Sequence, residues 1–302
     1  MKNLLKIFAV LLVSINYFSF SFASSIPSSF ADLAERLMPS VVNISTTTTV
    51  TTRSNPLPFE FPPGSPFEDM FGTPQQRQTS ALGSGFIIDE EGIVITNNHV
   101  IQGAQDIVVR VNGDKDYKAK VLGADAGMDL AVLKIESDEK FKPVNFGNSD
   151  KARIGDWVIA IGNPFGLGGT VTAGIISARN RSIGLSRYED YIQTDASINQ
   201  GNSGGPLFNM AGDVIGINTA ILGQSGSIGI GFAIPSNSAQ KVIKQLIEFG
   251  ETKRGWLGVR IQVVDQGIAD AENLDKPRGA LVASVAEESP SDKGGILSLI
   301  HI

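Results

Sequence analysis

Three short segments carry side chains that together could hydrolyse a peptide bond. They are TNNHV at 96–100, DLAVL at 129–133 and GNSGGP at 201–206. A serine hydroxyl is too weakly acidic to attack an amide unaided, so it needs a base that takes its proton and an acid that orients that base. The three segments supply one residue for each role. We therefore predict Ser203 as nucleophile, His99 as base and Asp129 as the orienting acid.

The histidine count narrows the choice of base. The chain has two histidines, His99 and His301, and the second lies in the terminal segment. A lone histidine is more often a hydrogen-bonded structural residue, but the flanking segments favour the catalytic interpretation. Asp125 competes with Asp129 for the acid role. We favour Asp129 because it directly precedes the apolar segment 130–135, which should shield it from water.

The serine segment fits a second pattern. Gly201–Gly205 satisfies Gly-x-Ser-x-Gly, the nucleophile elbow of α/β-hydrolases, which would make the chain an esterase. That elbow requires a strand–turn–helix context and the order Ser, Asp, His. Here the order is His, Asp, Ser and a β-prone stretch follows, so we disfavour this interpretation. Gly201 would let its own N–H and that of Ser203 point at one developing oxyanion.

Composition excludes several classes of protein. The 302 residues suffice for one large domain and part of a second. A formal charge of −6 argues against a nucleic-acid binder, which needs a basic face. The absence of cysteine excludes a disulfide framework and a thiolate metal site. No cysteine–histidine metal cluster and no phosphate-binding loop motif occurs, so we expect no cofactor.

The elements that must position these residues are mostly strands. Short β-branched runs bounded by turn residues favour an all-β barrel or sandwich over βαβ units. The predicted strands are Gly85–Ile88, Ile93–Thr96, Asp106–Val111, Leu130–Ile135, Trp157–Ile161, Val171–Ser177, Val214–Thr219 and Ile228–Ile234. One clear amphipathic helix follows, capped by Ser236 or Asn237 and stopped by Gly250. Ser28 or Ser29 is expected to cap a short helix near the start.

Two further segments stand apart from this pattern. Residues 1–23 resemble a secretory signal, with Lys2 and Lys6 before an apolar run and a small-x-small cleavage site at Ser21–Ala23. The alternative is a membrane anchor, but polar residues interrupt the run. A cleaved signal on a cysteine-free chain indicates a bacterial periplasm. Residues 55–78 are rich in Pro and Phe and predict a long loop, either functional or disordered.

The three catalytic segments, in this order, resemble the HtrA (Deg) family of periplasmic serine proteases over about Phe30–Gly295. The resemblance implies a chymotrypsin-like fold of two six-stranded β-barrels, with the site in the cleft between them. It also implies homotrimers, with higher oligomers possible, that work on unfolded or misfolded envelope proteins. Loop 55–78 would fold over the active site of a neighbouring subunit; a disordered insertion is the alternative.

The position that selects basic side chains in trypsin-like relatives holds no acid here. Six residues before Ser203 stands Ser197, followed by an isoleucine. A buried Lys or Arg would have no counter-charge in such a pocket. We therefore expect a preference for small aliphatic residues before the scissile bond. The predicted pocket residues are Ser197, Ile198, Ile228, Ile230 and Phe232.

The chain after residue 250 suggests a second domain. Arg254–Val259 resembles the carboxylate-binding loop at the start of a PDZ domain, with Trp256, Leu257, Gly258 and Val259 as its members. A simple strand start is the alternative. We expect residues 24–250 to form the protease domain and 251–302 an incomplete PDZ domain. Residues 297–302 match one reading frame of a transposon-derived sequencing adapter, which predicts a non-native tail; a natural short variant is the alternative.

Two functions from different classes follow. The first is an ATP-independent endopeptidase that degrades unfolded proteins. The second is a holdase-type chaperone or peptide-binding scaffold with minor proteolysis. Both share the same partners, namely unfolded proteins and peptides, and neither involves nucleic acid.

Overall fold

The structure is a computed structural model. It describes residues 27–52, 75–111, 115–162, 169–184, 188–199, 201–221, 228–298 and 300–301. The chain divides into two compact units, Met1–Glu251 and Thr252–Ile302. The predicted signal segment 1–23 and most of the predicted loop, residues 55–74, lie outside the described residues.

The first half of the first unit is a closed six-stranded antiparallel barrel. It follows a short helix, α1 (Ala31–Leu37). Its strands are β1 (Val41–Thr52), β2 (Gln75–Ile87), β3 (Ile93–Thr96), β4 (Asp106–Val111), β5 (Lys115–Asp125) and β6 (Leu130–Ile135). They close in the order β1-β2-β3-β6-β5-β4. Most of the buried residues in the core of this barrel are valine or isoleucine, which suits a pleated and buried surface.

The second half is another closed six-stranded barrel. Its strands are β7 (Trp157–Gly162), β8 (Thr170–Arg181), β9 (Tyr191–Thr194), β10 (Pro206–Phe208), β11 (Val214–Ile221) and β12 (Gly231–Pro235). They close in the order β10-β11-β12-β9-β8-β7. The predicted all-β class and the double barrel implied by the family resemblance are therefore confirmed.

Several strand ends differ from the predictions. β3, β4 and β6 have the predicted ends, whereas β5 was not predicted as a strand. β2 begins at Gln75, so the last four residues of the predicted loop belong to a strand paired with β1. β12 begins at Gly231, so Ile228 and Ile230 lie in the segment before it and not within it.

Two helices complete the unit. α2 (Asn98–Ile101) is a single turn between β3 and β4. α3 (Ser236–Phe249) follows β12 and ends at Gly250, whose φ of 77° is the left-handed conformation that glycine adopts at helix ends. The predicted cap of α3 was wrong. Pro235 occupies the cap position, and the Ser236 hydroxyl donates instead to a carbonyl of the loop before β7 at 2.7 Å.

The largest apolar cluster is shared by both barrels and α3. Its buried members include Phe86, Ile95, Leu130, Val132, Ile159, Phe208, Ile217, Phe232, Ala239, Val242, Ile243 and Leu246. Helix α3 contacts β5 and β6 of the first barrel as well as β11 and β12 of the second. Full burial of one such aliphatic side chain stabilises a fold by about 1.5–3 kcal/mol. The apolar face of α3 therefore holds the two barrels to a common core.

The second unit contains a three-stranded antiparallel sheet in the order β13-β14-β15. Its elements are β13 (Val259–Val263), α4 (Gln266–Ala271), β14 (Ala280–Val285), α5 (Pro290–Lys293) and β15 (Ile300–His301). Asp265 caps α4 by accepting a hydrogen bond from the Ile268 N–H at 2.9 Å. None of the helices among the described residues is long and apolar enough to cross a membrane.

Candidate active site

His99 lies where the first barrel opens toward solvent. All four residues of β3 are buried, and the chain leaves the barrel through α2. Val100 and Ile101 on α2 are buried in the core of that barrel. This anchors the turn and leaves the His99 side chain 46% exposed. An imidazole in that position is fixed at its base and accessible to substrate.

Asp129 ends the turn between β5 and β6. Asp125 shapes this turn, because its carboxylate accepts the Met128 N–H at 2.9 Å. Asp125 is 4% exposed. Asp129 has a φ of 54°, a left-handed conformation that aspartate tolerates better than most residues. The structure thus brings Asp129, and not Asp125, against His99.

The Asp129 carboxylate is held on both oxygens. Its Oδ1 accepts the His99 backbone N–H at 2.9 Å. Its Oδ2 lies 2.7 Å from His99 Nδ1 and accepts the Thr219 hydroxyl at 2.7 Å. With the carboxylate ionised, this contact requires Nδ1 to carry a proton, and in the neutral imidazole that leaves the lone pair of Nε2 free. That is the tautomer a general base requires.

The Ser203 loop is attached to the second barrel by backbone hydrogen bonds. The Gly204 N–H donates to the Asn218 carbonyl at 2.8 Å, and the Asn218 N–H donates to the Gly205 carbonyl at 2.9 Å. Gly201 has a φ of 96°, which only glycine adopts readily. The Ser203 side chain is half-buried at the surface of this loop. Gln200, whose carbonyl precedes the Gly201 N–H, lies outside the described residues.

Ser84 on β2 ties the same loop to the first barrel. Its backbone N–H donates to the Ser203 carbonyl at 2.9 Å. Its hydroxyl donates to the Gly201 carbonyl at 2.5 Å. The Ser84 carbonyl in turn accepts the Thr96 hydroxyl at 2.7 Å. Ser84 is fully buried, so these bonds form where water does not compete.

Gly204 shows how closely the nucleophile loop approaches the histidine segment. A Cβ added to Gly204 would lie 2.3 Å from Thr96 Oγ1 and 3.0 Å from the Asn97 nitrogen. The loop therefore passes directly against the residues that precede His99. No hydrogen bond joins the Ser203 hydroxyl to His99 in the described part of the chain. Such catalytic hydrogen bonds are often long without substrate and shorten when it binds.

The predicted pocket residues do not all face one space. A Cβ on Gly231 would lie 2.6 Å from Ile198 Cγ1, so the buried Ile198 side chain covers this glycine. Ser197 is exposed, Ile228 is 67% exposed and Ile230 is half-buried. Phe232 is 2% exposed and packs against Tyr191 in the shared core, with the ring centroids 6.0 Å apart. Phe232 can therefore shape a pocket only through its neighbours.

The predicted carboxylate loop belongs to the second unit. Trp256 and Leu257 are 67% and 55% exposed. Gly258 has a φ of 82° and no space for a Cβ, which would lie 2.2 Å from Ser289 Cβ. The Leu257 carbonyl accepts the Ser291 N–H and hydroxyl at 3.1 and 2.6 Å. Val259 is half-buried at the start of β13.

Three residues that touch this arrangement were not predicted: Thr219, Ser84 and Asn97. Thr219 lies in the apolar strand β11, where a buried Asn-Thr pair was the available signal. Ser84 stands between two glycines on β2. Asn97 directly follows β3 and precedes the histidine helix. Nothing local to these residues shows which distant segment they contact. Among the described residues, no group of three or more His, Asp or Glu could hold a metal ion.

Comparisons with known proteins agree on one family. A model of the trypsin-like peptidase domain matches residues 83–217. A probable periplasmic DegP-like serine endoprotease of Marinomonas sp. (strain MWYL1) is 48% identical over 291 residues, which are 91% of this chain and 62% of that relative. One of the same description from Brucella suis biovar 1 is 45% identical over 299 residues, covering 88% of this chain and 58% of the relative. The chain thus spans about 60% of the length of these curated relatives.

Solved structures give the same picture. The HtrA-type protease AlgW with a decapeptide is 44% identical, with a TM-score of 0.72 and coverage of 89% of this chain and 83% of that chain. The same protease with a tripeptide is 42% identical, with a TM-score of 0.73 and coverage of 89% and 80%.

Proposed function

The chain belongs to the HtrA family of DegP-like serine proteases, and from that premise we propose that it is an ATP-independent serine endopeptidase for unfolded or misfolded proteins of the bacterial cell envelope. The observation that carries the proposal is the 2.7 Å contact of His99 Nδ1 with Asp129 Oδ2. This contact supports the assignment of His99 as the base, because it orients the imidazole. The three residues assigned to the mechanism occur along the chain in the order His99, Asp129, Ser203.

The proposed chemistry begins with proton transfer. His99 Nε2 takes the proton of the Ser203 hydroxyl while the oxygen attacks the peptide carbonyl. Asp129 keeps the imidazole in the required tautomer and stabilises the imidazolium that forms. Thr219 donates to the carboxylate oxygen that faces His99. His99 then returns the proton to the leaving amine, and water completes the cycle by the same route.

The negative charge that develops on the substrate carbonyl needs donors. We assign this role to the backbone N–H groups of Gly201 and Ser203. Preorganised donors in a water-poor site stabilise such an oxyanion far more than they would in water. The positive φ of Gly201 and the bonds from Ser84 support this assignment, because they hold the loop in one conformation.

The proposed substrates are extended chains with a small aliphatic side chain before the scissile bond. Ser197, Ile198 and Ile230 are neutral and would leave a buried Lys or Arg unpaired. The structures of AlgW hold a decapeptide and a tripeptide, which supports peptide substrates for this chain as well. Unfolded proteins expose such segments, whereas folded ones bury them.

Location, assembly and domain division are part of the same proposal. The signal-like segment 1–23 would direct the chain to the periplasm, and the curated relatives are named periplasmic. A homotrimer is expected from the family resemblance. Residues 24–250 would form the protease domain and residues 251–302 part of a PDZ domain. In the latter, the loop Trp256–Val259 would bind peptide carboxyl ends.

The test is digestion of casein and of a reduced, denatured protein by the purified chain without nucleotide. We expect cleavage that is lost in Ser203→Ala and in His99→Ala, while thermal unfolding and circular dichroism remain those of the wild type. Loss of one triad member typically costs about 10⁴-fold or more in rate. Substantial casein cleavage by His99→Ala would contradict the assigned base.

A second measurement separates proteolysis from chaperoning. If the wild-type chain suppresses aggregation of the denatured protein but produces no new peptide ends, the endopeptidase proposal fails. The holdase alternative would then be correct. The proposal stands if the wild-type chain releases peptides and only the Ser203→Ala variant suppresses aggregation. An inactive protease still binds its substrate without cleaving it.

A further inference from the structure

The backbone of Asp129 is in a sparsely populated conformation. Its φ of 54° is one of the four positive values among the described non-glycine residues. Such a conformation costs free energy in an L-residue and persists only where the surroundings hold it. Asp129 also directly precedes β6, whose first residue Leu130 is fully buried. The position of its carboxylate therefore depends on what fixes the turn.

Two donors from the histidine segment fix the Asp129 carbonyl. The side-chain amide of Asn97 donates to this oxygen at 2.8 Å. The backbone N–H of Asn98 donates to it at 3.2 Å. The next residue, His99, donates its backbone N–H to the Asp129 carboxylate at 2.9 Å. Three consecutive residues thus donate hydrogen bonds to the backbone carbonyl and the side-chain carboxylate of Asp129. Of the two bonds to the carbonyl, the one from Asn97 is the shorter.

The Asn97 side chain is fully buried, and only half of its amide is used. Nδ2 donates to Asp129, whereas Oδ1 has no hydrogen-bond partner among the described residues. An unpaired buried carbonyl destabilises a fold and calls for an explanation. The opposite amide orientation would set Oδ1 against the Asp129 carbonyl, oxygen against oxygen. The hydrogen bond to the Asp129 carbonyl therefore fixes the orientation of the Asn97 amide.

We infer that Asn97 is a positioning residue for the proposed hydrolysis: its amide holds Asp129 in the left-handed conformation that aims the carboxylate at His99. The inference rests on the proposed function. Asn97 does not touch substrate or the reacting atoms, and it acts through Asp129. Without its donor, the carbonyl keeps only the longer bond from Asn98, and the carboxylate loses its fixed direction toward Nδ1.

The first test compares Asn97→Ala with Asn43→Ala in the full chain. Asn43 is a matched control: it is also a buried asparagine of the first barrel, and its amide donates to the Gly83 carbonyl at 3.3 Å and not to Asp129. We expect Asn97→Ala to lower kcat about 10- to 100-fold with KM within about two-fold, because a misdirected catalytic group costs rate rather than binding. Asn43→Ala should lower the melting temperature and leave kcat unchanged.

The second test asks whether Asn97 acts only through Asp129. In an Asp129→Ala background, adding Asn97→Ala should change kcat by less than about two-fold, because the group it positions is already gone. Multiplicative losses would show a general structural effect and overturn the inference. So would a kcat for Asn97→Ala within about two-fold of the wild type.

A spectroscopic readout is independent of turnover. His99 and His301 are the two histidines, so ¹⁵N-histidine labelling with a His301→Gln reference assigns the Nδ1 proton of His99. In Ser203→Ala protein, the downfield resonance of this proton should be sharp. It should broaden or disappear when Asn97→Ala is added and persist with Asn43→Ala. If the wild type proves inactive yet the resonance behaves in this way, the proposed function fails and the positioning role stands.

Folding of the variants is checked by near-ultraviolet circular dichroism. Asn97→Ala also removes the unpaired Oδ1, and this gain in stability offsets part of the stability lost with the hydrogen bond. Should it unfold, Asn97→Ser gives the same test, since a serine hydroxyl is too short to replace the amide. Loss of tertiary structure in both variants would overturn the inference, because Asn97 would then be a residue of the fold and not of the site.

Discussion

Replacing Ser84 by alanine tests how the nucleophile loop is held. The change removes one buried oxygen, which donates to the Gly201 carbonyl at 2.5 Å. The backbone bond from Ser84 to the Ser203 carbonyl, at 2.9 Å, remains. The perturbation therefore isolates the hydroxyl and leaves the barrels and the triad intact.

The size of the effect follows from burial. Ser84 and Gly201 are both buried, so the Gly201 carbonyl would lose a donor that water cannot readily replace. An unsatisfied buried polar group costs about 1–3 kcal/mol. If this cost falls on the conformation that aims the Gly201 and Ser203 N–H groups, kcat/KM falls by about 5- to 150-fold. Complete removal of one oxyanion donor costs about 10²- to 10³-fold, which sets the upper limit.

The assay combines steady-state kinetics on a peptide substrate with inhibition by the matching peptide aldehyde. Bound to Ser203, the aldehyde places an oxyanion against the same donors. We expect Ser84→Ala to lower kcat while KM stays within about two-fold, and to weaken aldehyde binding in parallel with kcat/KM. Ser236→Ala is the control, because this fully buried hydroxyl also donates to a carbonyl, that of Gly147 at 2.7 Å, away from the loop.

Two results would refute the reasoning. One is a Ser84→Ala chain with unchanged kcat and aldehyde affinity. The other is an equal loss of kcat in Ser236→Ala, which would trace the effect to general loosening of the fold. A lowered melting temperature in both variants, with the kinetic loss confined to Ser84→Ala, is the expected outcome.

Three further outcomes are expected. Thr219→Val removes the hydroxyl bonded to Asp129 Oδ2 and should lower kcat/KM about 10-fold, in line with about 1.5 kcal/mol for a hydrogen bond to a charged group; an unchanged rate constant would contradict the role of this bond. Sequencing the peptides from a denatured protein should show cuts mainly after Val, Ala or Ile, and a majority after Lys or Arg would refute the neutral pocket around Ile198. The side-chain hydrogen bond from Arg110 holds the pKa of Asp116 below its ordinary value of 3.8. That pair stabilises the fold above pH 3.8 and loses its effect as the pH falls through the lowered folded value, so Asp116→Asn should flatten the acid limb of the melting-temperature profile, more in low salt than in high salt.

The sequence pattern located the strands that are apolar and well bounded. β3, β4 and β6 are β-branched runs closed by turn residues, and their ends were predicted correctly. β5 was missed because its side chains are largely exposed and include lysine and aspartate, so it lacks an apolar run. β10 has three residues, too few for any periodicity to be visible.

The residues of the candidate site also fall into those that the sequence predicts and those that it does not. The residue types and order of His99, Asp129 and Ser203 carry local signatures that a single sequence displays. Thr219 and Asn97 contact Asp129 from positions 90 and 32 residues away along the chain. Contacts at such separations depend on barrel closure, and no local pattern contains that information. The positive φ of Asp129 is likewise a product of tertiary contacts, because the residues beside it do not require it.

The helix α3 has a consequence for the order in which the protein is made. A chain that emerges from its amino end completes the barrel that holds His99 and Asp129 long before Ser203 appears, and α3 follows last of all in the first unit. The apolar face of α3 completes the core shared by both barrels. A nascent chain therefore cannot complete this core until residue 249, the last residue of α3, has left the ribosome. On the proposed function, peptidase activity would therefore arise only after α3 has joined this shared core.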